Sequence, residues 1–457
     1  MSIIAGKAIL GIVFTVLGAF LATHSRLSAL SEWRFRLAVF AFWILTRVGL
    51  FAVVFLILQF EPTSDVVGAY VPQAHLAMGG LWIYRDFVSS YAPLFPYALA
   101  EALKYVWASS KMVVVLAMLV DLASLPFWME ALKNLLAPLA ARQACVLYLA
   151  SSAPLVNVAL NGHNQVWVSL FVGVALWLYT RRAAAVSGFA LSVPFVLVKF
   201  LALVTVPAFL PRNGRAFRFL ASFAALPAAV YGFLVLHHVD VFVPVRNEID
   251  ARTSGNIPFL LTAALGRLRW VAPTRAIDGV ALLALAALAV WLVSRQPAMP
   301  TPAVLWALNL LILTLLLVSR KSYTTYLVMC FFPLCAIAIR EGLTRFRAGL
   351  FGIFGFVAMI EPTLWFRWLN GQQFLSLAPS VGVSAALWKV TLFLFTDLVL
   401  LAFYAYYWRE SWLAFRYATR TNFSTEMIEE LHPTPPGPTA LRVTLRRGPD
   451  SAARDAI

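Results

Sequence analysis

The sequence predicts an all-α, polytopic transmembrane helical bundle with about 11 to 13 membrane helices. Of its 457 residues, 61% are hydrophobic and 12% are charged, and the mean hydropathy is +0.82. Apolar windows of about 20 residues, the length that spans roughly 30 Å of hydrocarbon, recur from Ile3 to Trp408. We expect one transmembrane domain over residues 1–408 and a polar, disordered cytoplasmic tail over residues 409–457, which carries the proline-rich run HPTPPGPT.

Short polar breaks separate the apolar windows. Met1–Ala22 has the position of a signal peptide, but its long apolar run and the absence of a small-residue cleavage site favour a retained helix. Two segments do not fit a simple alternation of membrane crossings. Segment 92–108 crosses the membrane or lies along its outer interface. Segment 183–210, which is basic at both ends, crosses an even number of times or enters the membrane and returns to the same side. The candidate crossings are Ile3–Ala22, Leu37–Phe60, Met112–Met129, Ala144–Leu160, Val166–Tyr179, Phe219–Leu236, Val280–Val293, Val304–Val318, Tyr323–Ile339, Leu350–Phe366 and Ala385–Tyr407.

Basic residues predict the topology. In a soluble protein a net charge of +16 would point to nucleic acid, but here lysines and arginines cluster in short loops between apolar segments, so no nucleic-acid partner is expected. The alternation of these loops places the N-terminus outside, the C-terminus inside and the Glu61–Ser90 loop outside.

Cys145, Cys330 and Cys335 lie in apolar runs without metal-ligand spacing, which indicates packing residues.

The outer loop after the second crossing carries the acids best placed for chemistry. Asp65 follows the apolar helix by a few residues, and Asp86 lies in Tyr84-Arg85-Asp86-Phe87. A partly desolvated carboxylate at the headgroup boundary can take a proton from a sugar hydroxyl, and general-base catalysis contributes roughly 10²- to 10⁴-fold. The alternative is that these acids and Glu61 are solvated loop residues.

A series of motifs runs over roughly residues 36–340. They are the acid after a long apolar helix, Tyr70, Ala74, Gly79-Gly80, Tyr84-Arg85-Asp86-Phe87, Tyr91–Tyr97, Asn161–Gln165, Arg181-Arg182, the run from Gly188 through Lys199 to Pro207, and Arg320–Tyr326 followed by Pro333. In their order these motifs resemble the GT-C superfamily of integral-membrane glycosyltransferases, including bacterial polyprenyl-phosphate-mannose-dependent mannosyltransferases.

The resemblance implies that a sugar, mannose or similar, moves with inversion from a polyprenyl-phosphate donor to a lipid or glycan acceptor. It also implies an active site on the outer face of the bacterial inner membrane, with Asp65 as general base and Tyr84, Arg85 and Asp86 beside the substrates. No cofactor is certain. A divalent metal, Mg²⁺ or Mn²⁺, would help to neutralise phosphate, but the sequence shows no ligand set for it.

A lipid-phosphate leaving group needs fixed positive charge. Lys199 lies inside PFVLVKFLALV, where an unpaired charge costs about 2.5–3.5 kcal/mol on insertion scales, so it either binds substrate or extends to an interface. Arg320 and Lys321 end a helix on the outer side, against the positive-inside trend, and surface anchoring is the rival interpretation. Arg246 and Arg252 are further candidates.

Other polar residues at the outer ends of helices could contact sugar. His163 and Asn164 bind sugar hydroxyls or cap their helices. The loop His237–Pro258 can order over bound substrate, and its adjacent histidines His237 and His238 point about 100° apart on a helix, which argues against a shared metal.

Aromatic and amide residues late in the chain have two interpretations. They suit carbohydrate stacking, and they equally suit the aromatic belt of any membrane protein. This group consists of Glu361, Trp365, Trp368, Gln372 and Gln373.

Two other function classes stay open. A transporter or flippase of lipid-linked sugars would carry repeated halves and paired broken helices, whereas this sequence shows one broken segment and no repeat. A polysaccharide polymerase or ligase would carry a large outer loop rich in arginine and histidine, of which Val239–Pro258 is a modest version.

Overall fold

The computed structural model is an all-α helical bundle, as the composition predicts. It describes residues 3–63, 65–210, 215–248, 253–267, 274–297, 300–368 and 387–431. These ranges contain no β-strand, and their one extended pairing is an isolated bridge between Ile83 and Phe87.

The first half of the chain forms ten α-helices, several of them short or broken. α3 contains the π-helical stretches Ile44–Val48 and Ala52–Ile57, and the π-helical turn Val66–Tyr70 leads into α4. The helices are α1 (Ile3–Ala22), α2 (Arg26–Ala29), α3 (Glu32–Ile57), α4 (Val71–Met78), α5 (Phe95–Tyr105), α6 (Lys111–Leu135), α7 (Pro138–Leu149), α8 (Ser152–Ala159), α9 (Gln165–Thr180) and α10 (Ala184–Leu197).

The second half contains the remaining helices and two 3₁₀ segments, Phe200–Phe209 and Thr324–Cys330. The helices are α11 (Arg215–Leu236), α12 (Val243–Asn247), α13 (Ile257–Arg267), α14 (Thr274–Arg295), α15 (Ala303–Val318), α16 (Phe331–Ile339), α17 (Arg345–Trp368) and α18 (Leu387–Leu431).

The protein is a multi-pass integral membrane protein. Seven helices in the described ranges are long and apolar enough to cross a bilayer, namely α1, α3, α6, α11, α14, α17 and α18. The pair α7 and α8, bent by 53°, would form an eighth span if counted together. Five further apolar helices have 10–17 residues. The number of membrane helices, predicted as about 11 to 13, depends on how many of these shorter helices count as crossings.

The segment 183–210 is broken at its middle. α10 ends where the backbone N–H groups of Val198 and Lys199 both bond to the carbonyl of Pro194, and Lys199 is extended, with φ −162°. The loop before α5 covers this break, because Ala92 N–H donates to Val198 O at 3.0 Å and Leu94 N–H donates to Val196 O at 3.1 Å. Irregular backbone at this depth therefore has protein partners, as the apolar surroundings require.

The segment 92–108 does not span a membrane by itself. Its helix, α5, has 11 residues, which is roughly 16 Å at 1.5 Å per residue and about half of a hydrocarbon core. Its length argues against the crossing, and the alternative, a helix along the outer interface, stays a prediction.

α3 and α6 share a buried ionic network. Arg47 and Asp121 have no exposed surface, and Arg47 Nε lies 3.4 Å from Asp121 Oδ2. Trp43 Nε1 donates to the same carboxylate at 2.8 Å, and the Tyr148 hydroxyl donates to its other oxygen. Arg47 Nη1 donates to Leu149 O at 2.6 Å. The network fixes the depth and rotation of three helices in the core.

Gly188 allows α10 and α11 to pack at backbone contact. A methyl group at this position would overlap the Phe219 carbonyl of α11, and small residues at such crossings let membrane helices approach closely.

Gly188→Ala is expected to lower the free energy of unfolding by about 1–3 kcal/mol, as overpacking does. Thermal unfolding in detergent measures the loss. Gly232→Ala, on α11 with nothing within 4 Å of the added carbon, is the matched control, and an equal loss there would contradict the packing argument.

The last helix extends beyond the expected end of the membrane domain. We expected a disordered tail from Arg409, but α18 continues to Leu431. Ser411 and Phe415 are buried on one face, and Trp412 stacks on Trp291 with ring centroids 4.0 Å apart. This packing makes the first part of the polar segment helical. Residues 432–457 lie outside the described residues.

Candidate functional site

Asp65 stands at the mouth of the candidate site. It immediately precedes the turn Val66–Tyr70, and its side chain is 44% exposed. Its Oδ2 lies 3.8 Å from His163 Nδ1, which is longer than a hydrogen bond. The sequence prediction that Asp65 and His163 belong to one site is thus consistent with their positions, and the carboxylate stays accessible to a second molecule.

The loop between α8 and α9 presents polar groups that the protein does not satisfy. His163 and Asn164 are 8% and 1% exposed, and His163 Nδ1, both amide atoms of Asn164 and Oε1 of Gln165 have no hydrogen-bond partner. Burial lowers the pKa of His163 and so favours the neutral imidazole, although the charge of Asp65 opposes this shift. Buried polar groups of this kind need a partner, and a polyhydroxylated ligand would supply one.

Lys199 forms the cationic part of the site. It is 7% exposed, and its Nζ lies 3.0 Å from Glu248 Oε1 and 3.3 Å from the Tyr326 hydroxyl. The rings of Tyr91, Tyr323 and Tyr326 surround the ammonium with centroids 5.6–5.9 Å away. These contacts hold a charge in apolar surroundings, as the cost of an unpaired buried charge requires.

Tyr91 neighbours both Asp65 and Lys199. Its ring packs edge-on against Tyr70 at 5.0 Å. Burial is the main cause that raises the pKa of Tyr91, followed by Tyr70 and by the negative charge of Asp65, with Glu248 also contributing. Tyr91 thus lies 5.8 Å from the buried ammonium of Lys199 and packs on the turn that begins after the half-exposed Asp65.

Tyr84, Arg85 and Asp86 lie in a tight turn and support the site without entering it. The Tyr84 hydroxyl donates to the backbone oxygen of Tyr91. Arg85 and Asp86 pair with each other at 2.9 Å, and Asp86 Oδ2 accepts the Trp82 N–H at 2.7 Å. These bonds lower the pKa of Asp86. A carboxylate engaged with its own turn makes a poor general base, so these bonds favour Asp65 over Asp86 in that role, and a substrate contact of Arg85 and Asp86 stays a prediction.

Arg320 and Lys321 pair with an acid on α14. Arg320 Nε and Nη2 donate to the two oxygens of Asp278 at 2.8 Å each, and Lys321 Nζ lies 3.5 Å from Asp278 Oδ2. Their position near a lipid phosphate stays a prediction, and the cation that joins the tyrosine cluster is Lys199. The segment that carries Arg320 and Lys321 continues directly into Tyr323 and Tyr326.

The other outer-loop candidates are engaged elsewhere. Arg246 pairs with Asp240, and Glu61 pairs with Lys111 at 3.2 Å. His237 packs against Trp82 with centroids 5.4 Å apart. Arg252 lies outside the described residues.

The described members of the late aromatic group, Glu361 and Trp365, are buried in the bundle. Trp365 is 3% exposed and packs on Phe393 with centroids 5.3 Å apart, so it belongs neither to an interfacial belt nor to an open groove. Gln372, Gln373 and the side chain of Trp368 lie outside the described residues.

The three cysteines are buried and unpaired, which confirms them as packing residues.

A resident Mg²⁺ or Mn²⁺ does not fit the residues around Asp65. In the part of the chain that the structure describes, no group of three or more His, Cys, Asp or Glu side chains could hold a metal ion. Asp65 and His163 supply two potential donors, fewer than the ligand sets that protein metal sites use.

Sequence reasoning missed Glu248 as a site residue and treated Tyr91, Tyr323 and Tyr326 only as parts of motifs. The available signal was the recurrence of tyrosine in Tyr91-Ala92-Pro93 and Tyr323-Thr324-Thr325-Tyr326, since a buried lysine needs aromatic or anionic neighbours. Glu248 gave no such signal because its partner is distant in sequence.

The chain matches no protein-family model, no curated protein and no solved structure.

Proposed function

We propose that the protein is an inverting membrane glycosyltransferase that moves a sugar, mannose or a close relative, from a polyprenyl-phosphate donor to a lipid or glycan acceptor. The observation that carries the proposal is that Tyr91 lies beside Lys199 and packs on Tyr70, at the end of the turn that follows Asp65. Asp65 can accept a proton, and Lys199 can stabilise phosphate. The motif order described above supports the same reaction, with the site on the outer face of a bacterial inner membrane.

Asp65 acts as general base in this scheme. Its carboxylate removes the proton from an acceptor hydroxyl, and the resulting oxygen attacks the anomeric carbon of the donor from the face opposite the phosphate. The bond between that carbon and the phosphate oxygen breaks as the new glycosidic bond forms, which inverts the anomeric centre. The half-exposed position of Asp65 leaves room for an acceptor that arrives from outside the bundle.

Lys199 receives the leaving group. Polyprenyl phosphate departs with the bonding electrons, and a fixed ammonium in a water-poor pocket stabilises the charge that develops on its oxygen. The break after α10 places Lys199 in this pocket, and the tyrosine rings keep the ammonium from solvent.

His163 and Asn164 bind the transferred sugar. Their unsatisfied donors and acceptors lie beside Asp65, where the sugar ring must be held for the attack. A site that hydrogen-bonds sugar hydroxyls discriminates strongly against analogues that lack them, because the buried groups would then stay unpaired.

The direct test is transfer by the purified protein from a synthetic polyprenyl-phosphate mannose in the presence of membrane glycolipid acceptors. The expected result is a mannosylated acceptor with inverted configuration and an equal amount of released polyprenyl phosphate. Donor that crosses vesicle membranes without being cleaved would contradict the proposal and favour the flippase interpretation.

Glu248 occupies the position that a phosphate oxygen of the donor would take against Lys199. Glu248→Gln is expected to lower KM for the donor about tenfold, because hydrogen bonds to charged groups contribute about 1.5–3 kcal/mol and 1.4 kcal/mol is a factor of ten. Initial rates over a range of donor concentrations measure the change.

Asp240→Asn is the matched control for Glu248→Gln, since Asp240 lies in the same outer loop and pairs with Arg246 at the surface. It should leave KM unchanged. A higher KM in Glu248→Gln would show that the carboxylate orients the lysine and does not compete with phosphate.

A further inference from the structure

Two acidic side chains lie buried in the helical bundle without a cationic partner. Glu361 of α17 is 1% exposed and Asp397 of α18 is fully buried. No ion pair in the described part of the chain includes either carboxyl group. Intramembrane carboxyl groups normally face a functional ligand or pair with each other. Neither the sequence motifs nor the proposed transfer reaction uses these two.

One buried loop contacts both carboxyl groups. The Ser254 hydroxyl donates to Glu361 Oε1. The next residue, Gly255, has φ +74°, and a Cβ built on it would lie 3.7 Å from Asp397 Oδ1. Adjacent loop residues thus face one acid each, so the two carboxyl groups lie on either side of a single loop.

The hydroxyl of Tyr404 is a third oxygen donor near the two carboxyl groups. Tyr404 lies two helical turns after Asp397, on the same face of α18, and a long side chain on a helix leans back toward the N-terminus. Its hydroxyl is fully buried, interacts electrostatically with both acids and has no hydrogen-bond partner. Neither oxygen of Asp397 has a hydrogen-bond partner of ordinary geometry. Such orphaned buried groups favour a bound ligand, because a buried polar atom without a partner is costly.

We propose that Glu361, Asp397 and the hydroxyls of Tyr404 and Ser254 bind one hard divalent cation, of the Ca²⁺ type. Two carboxylates neutralise a double charge, and all four groups offer the oxygen ligands that Ca²⁺ prefers. Calcium accepts a flexible set of 6–8 oxygens, so backbone carbonyls of the loop and water complete the shell. This site is separate from Asp65 and does not depend on the proposed transfer reaction.

The cation would connect the loop to the segment that carries the tyrosine cluster. Thr253, beside Ser254, donates to the backbone oxygen of Ser322, and its N–H bonds to Arg320 O at 3.0 Å. The same segment continues to Tyr326, which bonds Lys199. Binding at the acid pair therefore stabilises the backbone behind the lysine pocket.

The test uses the purified full chain in detergent, stripped with EDTA and titrated with Ca²⁺ and, separately, Mg²⁺. We expect saturable binding of one Ca²⁺ per chain by calorimetry and a rise in Tm that saturates at the same concentration. Asp397→Asn and Glu361→Gln should each abolish both effects. In EDTA these variants should be at least as stable as the wild type, because the amide removes an acidic group that has no cationic partner. Asp240→Asn, at the surface, should bind as the wild type does.

Tyr404→Phe gives a second variant that removes one ligand and leaves both acids. Weaker Ca²⁺ binding in this variant would support the site even if an acid variant failed to fold. The absence of saturable Ca²⁺ binding by the wild type would overturn the proposal. Undiminished binding in Asp397→Asn, Glu361→Gln and Tyr404→Phe would overturn it as well.

Discussion

Asp65→Asn is expected to lower kcat for sugar transfer by roughly 10²- to 10⁴-fold, the range that general-base catalysis contributes. The amide keeps the size of the side chain but cannot accept the acceptor's proton. KM for the donor should change little, since the phosphate is held by Lys199 and not by Asp65. Steady-state kinetics with the polyprenyl-phosphate donor separate the two constants.

Folding should be unaffected by Asp65→Asn. The side chain is 44% exposed, and its contact with His163, at 3.8 Å, is too long for a hydrogen bond. An unchanged Tm and a monodisperse elution profile would confirm that the lost activity reflects chemistry.

Asp86→Asn is the matched control for Asp65, because it changes another acid of the same outer loop in the same way. Asp86 is occupied by Arg85 and by the Trp82 backbone, so activity close to the wild type is expected. If Asp65→Asn stayed active while Asp86→Asn lost activity, the general base would be Asp86, and the geometric argument for Asp65 would be wrong.

Asp121→Asn is expected to lower the free energy of unfolding by about 3–5 kcal/mol, the usual cost of breaking a buried ion pair from one side. Arg47 would keep its full charge in a bundle where neither residue has exposed surface. Trp43 and Tyr148 donate to different oxygens of Asp121, and the single amide oxygen of an asparagine cannot accept from both, so the loss combines the missing charge with one changed hydrogen bond. Thermal and denaturant unfolding in detergent measure it.

The double variant Arg47→Met with Asp121→Asn distinguishes charge from packing. With both charges gone, no uncompensated ion is left in the core, and most of the lost stability should return. A double variant as unstable as Asp121→Asn alone would show that shape and hydrogen bonds, and not the unpaired charge, account for the loss.

Arg36→Gln, in a partly exposed pair with Glu32, should cost at most about 1 kcal/mol.

The sequence by itself determined the fold class and the membrane setting. A bilayer satisfies no backbone group, so long apolar stretches must form helices, and composition alone reports them. Sequence also pointed to Asp65, His163, Asn164 and Lys199, because a polar residue beside or inside an apolar run is costly and therefore informative.

Only the tertiary structure decided which of these residues meet. Lys199 and Glu248 pair although a full helix separates them, while Arg320 and Lys321, equally prominent in the sequence, turn to Asp278. Asp397 lies in an apolar run that the sequence analysis did not single out, and only the fold brings it near Glu361 and Tyr404. Charges and hydroxyls act over a few ångströms, and that distance is set by helix packing and loop paths that no local pattern encodes.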